Sequence, residues 1–118
     1  MIAEEIIQCQ TRIEEIKKLL VALEEMRPGS LSKQFNVCGN PTCRCKDPKN
    51  PKKHGPYYQV SYTHKGKSST QFVKRDAVTE TKTQLENYRT FKSLIDEWVD
   101  LSVKIAQLRK KEEGRKAK

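Results

Sequence analysis

The segment Tyr57-Tyr58-Gln59-Val60-Ser61-Tyr62-Thr63-His64-Lys65-Gly66-Lys67-Ser68-Ser69-Thr70-Gln71-Phe72-Val73 decides the fold class. Two runs rich in aromatic and β-branched residues flank a turn containing Gly66, the pattern of a β-hairpin. Side chains alternate across a strand, so Tyr58, Val60 and Tyr62 share one face and Tyr57, Gln59 and Ser61 the other. One face must pack, which makes two of these tyrosines core residues. The open face and the tip present Gln59, Ser61, His64, Lys65, Lys67, Ser69 and Gln71, with Lys74 and Arg75 just beyond.

Helices flank this hairpin. On the N-terminal side Ile2, Ile6, Cys9, Ile13, Ile16, Leu20 and Leu23 follow steps of four and three, the seam of a coiled coil. The pattern runs to Met26, where Pro28-Gly29 ends it. On the C-terminal side Asp76 is a plausible N-cap. From there Val78, Leu85, Tyr88, Phe91, Leu94, Ile95, Trp98, Leu101, Ile105 and Leu108 keep helical spacing until Gly114. Cys9, Tyr88 and Trp98 sit on the seams and read as packing groups. The expected architecture is α+β: two long helices forming an antiparallel coiled-coil stalk, with a small zinc-knuckle and β-hairpin head between them. The second helix is the longer, so Ile105 and Leu108 are expected to extend past the first and offer a surface for a homodimer. The chain then divides into a coiled-coil helix over 1–27, a Cys/His metal-knuckle loop over 28–55, a basic β-hairpin over 56–75, a C-terminal helix over 76–113 and a basic tail over 114–118, all within one domain.

The chain has 118 residues, of which 35% are hydrophobic and 33% charged, against an apolar share of about 45–50% in ordinary globular domains. A large core is therefore not expected, and long solvated helices, a metal or a partner must supply part of the stability. No apolar run reaches the roughly 18 residues of a membrane span. The start, MIAEEIIQCQ, lacks the basic region of a secretory signal, which gives a cytoplasmic reading with reduced thiols.

Formal charge is +9, and residues 28–75 carry ten basic side chains against one acid, Asp47. Concentrated charge of this kind is the footprint of a polyanion-binding surface. Lys33, Arg44, Lys46, Lys52, Lys53, His64, Lys65, Lys67, Lys74 and Arg75 are the expected nucleic-acid contacts, with base-edge reading by Gln59 or Gln71. A two-stranded ribbon fits the major groove, which favours DNA, while the composition suits RNA as well. The alternative is a solvated hairpin that merely closes the head.

Cys38, Cys43 and Cys45 place three thiols within eight residues, and His54 follows. Four N/S ligands in a tight turn are what tetrahedral Zn2+ requires, and Gly39-Asn40-Pro41 supplies a turn. The polar, Pro-containing surroundings need such an ion to order them. Other readings are His64 or a second chain as the fourth ligand, an iron–sulfur cluster, a redox pair, or unligated thiols. Four protein ligands leave no open position, so a zinc site here is structural. With no paired carboxylates, no Gly-rich phosphate loop and no nucleophile beside a base, the chain does not read as an enzyme.

Gly29-Ser30-Leu31-Ser32-Lys33-Gln34-Phe35-Asn36-Val37-Cys38-Gly39, Cys43-Arg44-Cys45 and His54-Gly55-Pro56-Tyr57-Tyr58 resemble the signature of an uncharacterised prokaryotic family of small proteins, often encoded near transposases or on mobile elements. Glu86-Asn87-Tyr88-Arg89-Thr90-Phe91 is similar to that family's second helix. The resemblance covers residues 29–101 and implies a shared fold, a metal knuckle and a link to DNA mobility, with no activity attached. A second likeness is to the arm-binding domains of phage-type integrases, which place a basic hairpin ahead of a helix. Those domains have a third strand, which Leu31–Val37 would supply by its alternation of apolar and polar residues. Two functions follow as expectations: a zinc-stapled nucleic-acid-binding module of a mobile element, or a coiled-coil adaptor that docks a transposase-type partner through its helices.

Overall fold

A computed structural model describes residues 1–36 and 54–116. The order is helix α1 (Ile2–Ala22), strands β1 (Ser30–Asn36), β2 (His54–His64) and β3 (Lys67–Val73), a 3-10 turn (Arg75–Ala77) and helix α2 (Val78–Lys116). The strands form one antiparallel sheet in the order β1-β2-β3. This corrects the expected architecture. The middle of this α+β chain is a three-stranded sheet separating the two helices in sequence, where a two-stranded hairpin was expected, and no zinc knuckle is seen among the described residues. The reason is not local: β1 holds only Leu31 and Phe35 as apolar residues, so its strand character comes from pairing with β2. No helix among the described residues is long and apolar enough to cross a membrane.

The chain divides into two compact units, Met1–Glu25 with Asn87–Lys118, and Met26–Glu86. In the first unit the seam of α1 buries Cys9, Ile13 and Ile16. Cys9 and Ile13 join Ile105 in one cluster, with Ile6, Trp98 and Leu101 packed around it. Ile105 and Leu108, expected to project past α1, are buried within the chain. Lys17 Nζ stands 5.6 Å from the centroid of Trp98, a cation over an electron-rich ring face. α1 stops at Ala22, before the seam pattern runs out, and Leu23 turns extended with φ −67° and ψ 139°. The Glu25 carbonyl then accepts a hydrogen bond from Asn87 Nδ2 at 2.9 Å, so the helix gives way to a segment whose backbone has another partner.

In the second unit the register pairs Leu31 and Gln71 with Val60 on its two sides. Val60 is fully buried, whereas Phe72, one residue from Gln71, is 77% exposed. The Val60 face is therefore closed and the Phe72 face open. Among the described residues of this unit, Thr81 and Leu85 of α2 are also buried. Gly29 is required here: its φ is +131°, and a Cβ would lie 2.8 Å from the Ser61 carbonyl oxygen. Gly55 meets the same constraint, with φ +135° and a Cβ position 2.8 Å from the Gln34 carbonyl oxygen, beside the bulge between Gln34 and Asn36.

Candidate nucleic-acid interface

β2 and β3 are joined by Lys65 and Gly66, between the paired residues His64 and Lys67. Both turn residues have positive φ, 51° for Lys65 and 78° for Gly66. Such a two-residue turn matches the right-handed twist of its strands, and its first position favours Asn, Asp or Gly. A lysine there holds a left-handed backbone at a cost of about 1 kcal/mol. The turn presents His64, Lys65 and Lys67, all exposed, at one end of the sheet.

Toward the other end lie Lys33 on β1, which shares a row with Tyr58 and Val73, and Lys74 and Arg75 just after β3. Lys33 Nζ sits 5.6 Å from the centroid of Phe35. Lys65, Lys67, Lys74 and Arg75 enter no ion pair among the described residues, whereas Arg12 and Lys17 of α1 are both paired with glutamates. Arg44, Lys46, Lys52, Lys53, Cys38, Cys43 and Cys45 lie outside the described residues. His54 opens β2 opposite Asn36.

The open face between these ends carries Ser32, Gln34, Tyr57, Gln59, Ser61, Thr63, Ser68, Thr70 and Phe72. Its hydroxyls pair across the strands, Ser61 with Thr70 at 3.3 Å and Thr63 with Ser68 at 2.9 Å. Gln59 lies directly opposite Phe72, which makes Tyr57, two residues along β2, a diagonal neighbour of Phe72. Tyr57 is 40% exposed.

Gln71, an expected base reader, is on the closed face. Its Oε1 accepts a hydrogen bond from Arg27 Nη2 at 2.8 Å, while Arg27 N–H donates to the Gln84 carbonyl at 3.2 Å. Arg27, Pro28, Tyr62 and His64 line a cleft of about 300 Å³. Sequence reasoning missed Arg27, counted with the first helix, and Phe72. The alternation of Phe72 against Gln71 and Val73 was the available signal for the latter.

A family model described as a domain of unknown function (DUF6788) matches residues 6–83. The chain belongs to this family. The match spans most of α1, all three strands and the first turns of α2, and agrees with the expected membership of an uncharacterised family of small proteins. No curated protein and no solved structure matches the chain.

Proposed function

We propose that this protein binds nucleic acid through the cationic ends and open face of its sheet, in the service of a mobile genetic element. The observation that carries the reading is Lys65, a cation held at φ 51° where the turn favours Asn or Gly. A strained backbone at an exposed tip points to function rather than stability. Support comes from its surroundings: Lys33, Lys65, Lys67, Lys74 and Arg75 occupy residues 29–35 and 55–75 with no Asp or Glu among them.

These side chains neutralise phosphates and release condensed counterions, which makes affinity fall with salt. Five contacts correspond to a log–log salt slope of roughly −3.5 on a single strand and −4.5 on duplex DNA. The same reading includes a structural zinc ion on Cys38, Cys43, Cys45 and His54. Supporting it, Asn36, the last residue of β1, pairs in register with His54, the first of β2, so the three cysteines fall in sequence between two residues that the sheet holds side by side.

The test is fluorescence anisotropy with labelled oligonucleotides across a salt series, comparing the native chain with a Lys65→Glu, Lys67→Glu double variant. The variant should lose binding while keeping its thermal stability. Binding that survives the double substitution would remove the hairpin tip from the site.

A second reading, docking of a partner such as a transposase on the helices, has one observation in its favour. Ile95, Trp98, Val99, Ser102, Val103 and Ala106 line an apolar groove on α2, where Val99 and Val103 are each more than half exposed.

A further inference from the structure

We infer that the ligand of the open sheet face is a single-stranded nucleic acid, with unpaired bases stacked on Phe72 and Tyr57. This rests on the nucleic-acid reading above and specifies its ligand.

The argument starts from what the face can and cannot do. Reading a paired base in a groove requires free donors and acceptors aimed at its edge. Here Ser61 with Thr70, and Thr63 with Ser68, each direct one hydrogen bond across the strands rather than outward, and Gln71 lies on the other face, where it accepts from Arg27. Gln59 is the one side-chain amide opposite Phe72, too little to read a duplex. What the face does offer is aromatic area: Phe72 is 77% exposed and Tyr57 40%. To stack on a duplex a phenyl ring must wedge between bases that are already stacked, at a cost of a few kcal/mol per step, whereas an unpaired base has a free π-face for it.

The two rings are diagonal cross-strand neighbours, with side chains about 7–8 Å apart, a spacing that suits successive bases of an extended strand. Cations bracket them along β3, with Lys65 in the turn before its start and Lys74 and Arg75 after its end, while Lys67 lies on the Val60 side. The strand spans about 23 Å at the usual rise, so a backbone lying along it meets positive charge at both ends and rings between. Charge complementarity thus favours a polyanion on this face over an apolar protein surface.

The test measures anisotropy of a labelled oligothymidylate, its duplex with oligoadenylate, and the matching oligouridylate. Native protein, Phe72→Ala, Phe72→Leu, Phe72→Tyr and the Lys65→Glu, Lys67→Glu variant are compared. The native chain should prefer the single strands to the duplex, and the two single strands show which sugar it takes. Phe72→Ala and Phe72→Leu should weaken that binding by about 5- to 150-fold, the loss of one stacked base. Phe72→Tyr should restore it, and the salt slope should stay unchanged in all three because no cation is removed. The exposure of Phe72 lets these variants fold, which their unfolding temperatures will show.

Duplex bound more tightly than either single strand by the native chain, or full affinity in Phe72→Leu, would overturn the stacking assignment. If the lysine variant still loses binding in that case, the nucleic-acid reading stands without it. No binding of the native chain to any probe at low salt would remove both.

Discussion

Arg12 of α1 and Glu97 of α2, 85 residues apart in sequence, meet in a two-pronged ion pair. Arg12 Nε donates to Glu97 Oε2 at 2.6 Å and Nη2 to Oε1 at 2.9 Å. The third prong, Nη1, reaches Glu15 at 3.0 Å. A planar guanidinium matched to a carboxylate fixes geometry as well as charge, and the pair ties the two helices of this unit at one level.

This pair makes stability depend on pH. Arg12 holds the Glu97 carboxyl below its ordinary value of 4.5. A carboxyl whose pKa is depressed by folding stabilises the protein above its unfolded pKa, and that contribution is lost as pH falls through the folded value. Thermal unfolding should therefore separate the native chain from Glu97→Gln at pH 7, and the gap should close below pH 4.5. Arg12→Lys should resemble Glu97→Gln, because an ammonium cannot make the fork. A gap that persists undiminished at pH 2.5 would show that the pair contributes through packing alone.

Lys65→Asn should raise stability and lower affinity together. Asn tolerates the left-handed backbone that costs lysine about 1 kcal/mol, so the unfolding temperature should rise by about 4 °C. The same change removes one phosphate contact and should make the salt slope shallower by about 0.7–0.9. An unchanged slope would place Lys65 off the ligand path.

Gly29→Ala and Gly55→Ala should each destabilise by about 3 kcal/mol, from backbone strain and overpacking together. Each new Cβ would stand 2.8 Å from a strand carbonyl oxygen, at Ser61 and Gln34 respectively. Urea unfolding measures the loss, and a change under about 0.5 kcal/mol, the usual size for a surface substitution, would show that the strands slide to admit the methyl group.

Ile16, with no exposed surface, should cost about 3 kcal/mol when cut to alanine, from lost burial and the cavity left behind. Phe72→Ala should stay within about 0.5 kcal/mol. The two variants in one denaturant series separate a residue kept for packing from one kept for contact.

For the cysteines the expected outcome is stoichiometric zinc in the native chain by elemental analysis, lost in Cys43→Ser. Chelation should lower the unfolding temperature of the native chain and leave that variant unmoved. Metal-free native protein with the same unfolding temperature would dismiss the zinc reading.

Much of this was legible from neighbours along the chain. The four-and-three spacing from Ile2 to Leu23 marks a helix and places Cys9, Ile13 and Ile16 on its inner side. Lys65-Gly66 marks a tight turn, and the scarcity of acids from 28 to 75 marks a cationic surface, because charge survives in composition whatever the fold. β1 is less legible. Ser30–Asn36 is mostly polar, and only pairing with a partner 30 residues or so further on in sequence outweighs that composition. The end of α1 at Ala22 escapes a periodicity argument for the same reason, since its determinant is the distant Asn87.

The candidate site divides in the same way. That lysines, tyrosines and glutamines stand on a hairpin is a local matter of propensity and alternation, set by sequence alone. Which face of that hairpin closes, burying Val60 and leaving Phe72 and Tyr57 in the open, is set by the third strand and by the segments packed around it. So is the withdrawal of Gln71 from the ligand side by Arg27, 44 residues away. Local sequence determined the elements and the charge, because turn chemistry and side-chain period act within a few residues. Tertiary structure decided the register and the exposed surface, because those depend on hydrogen bonds and burial between segments that meet only when the chain is folded.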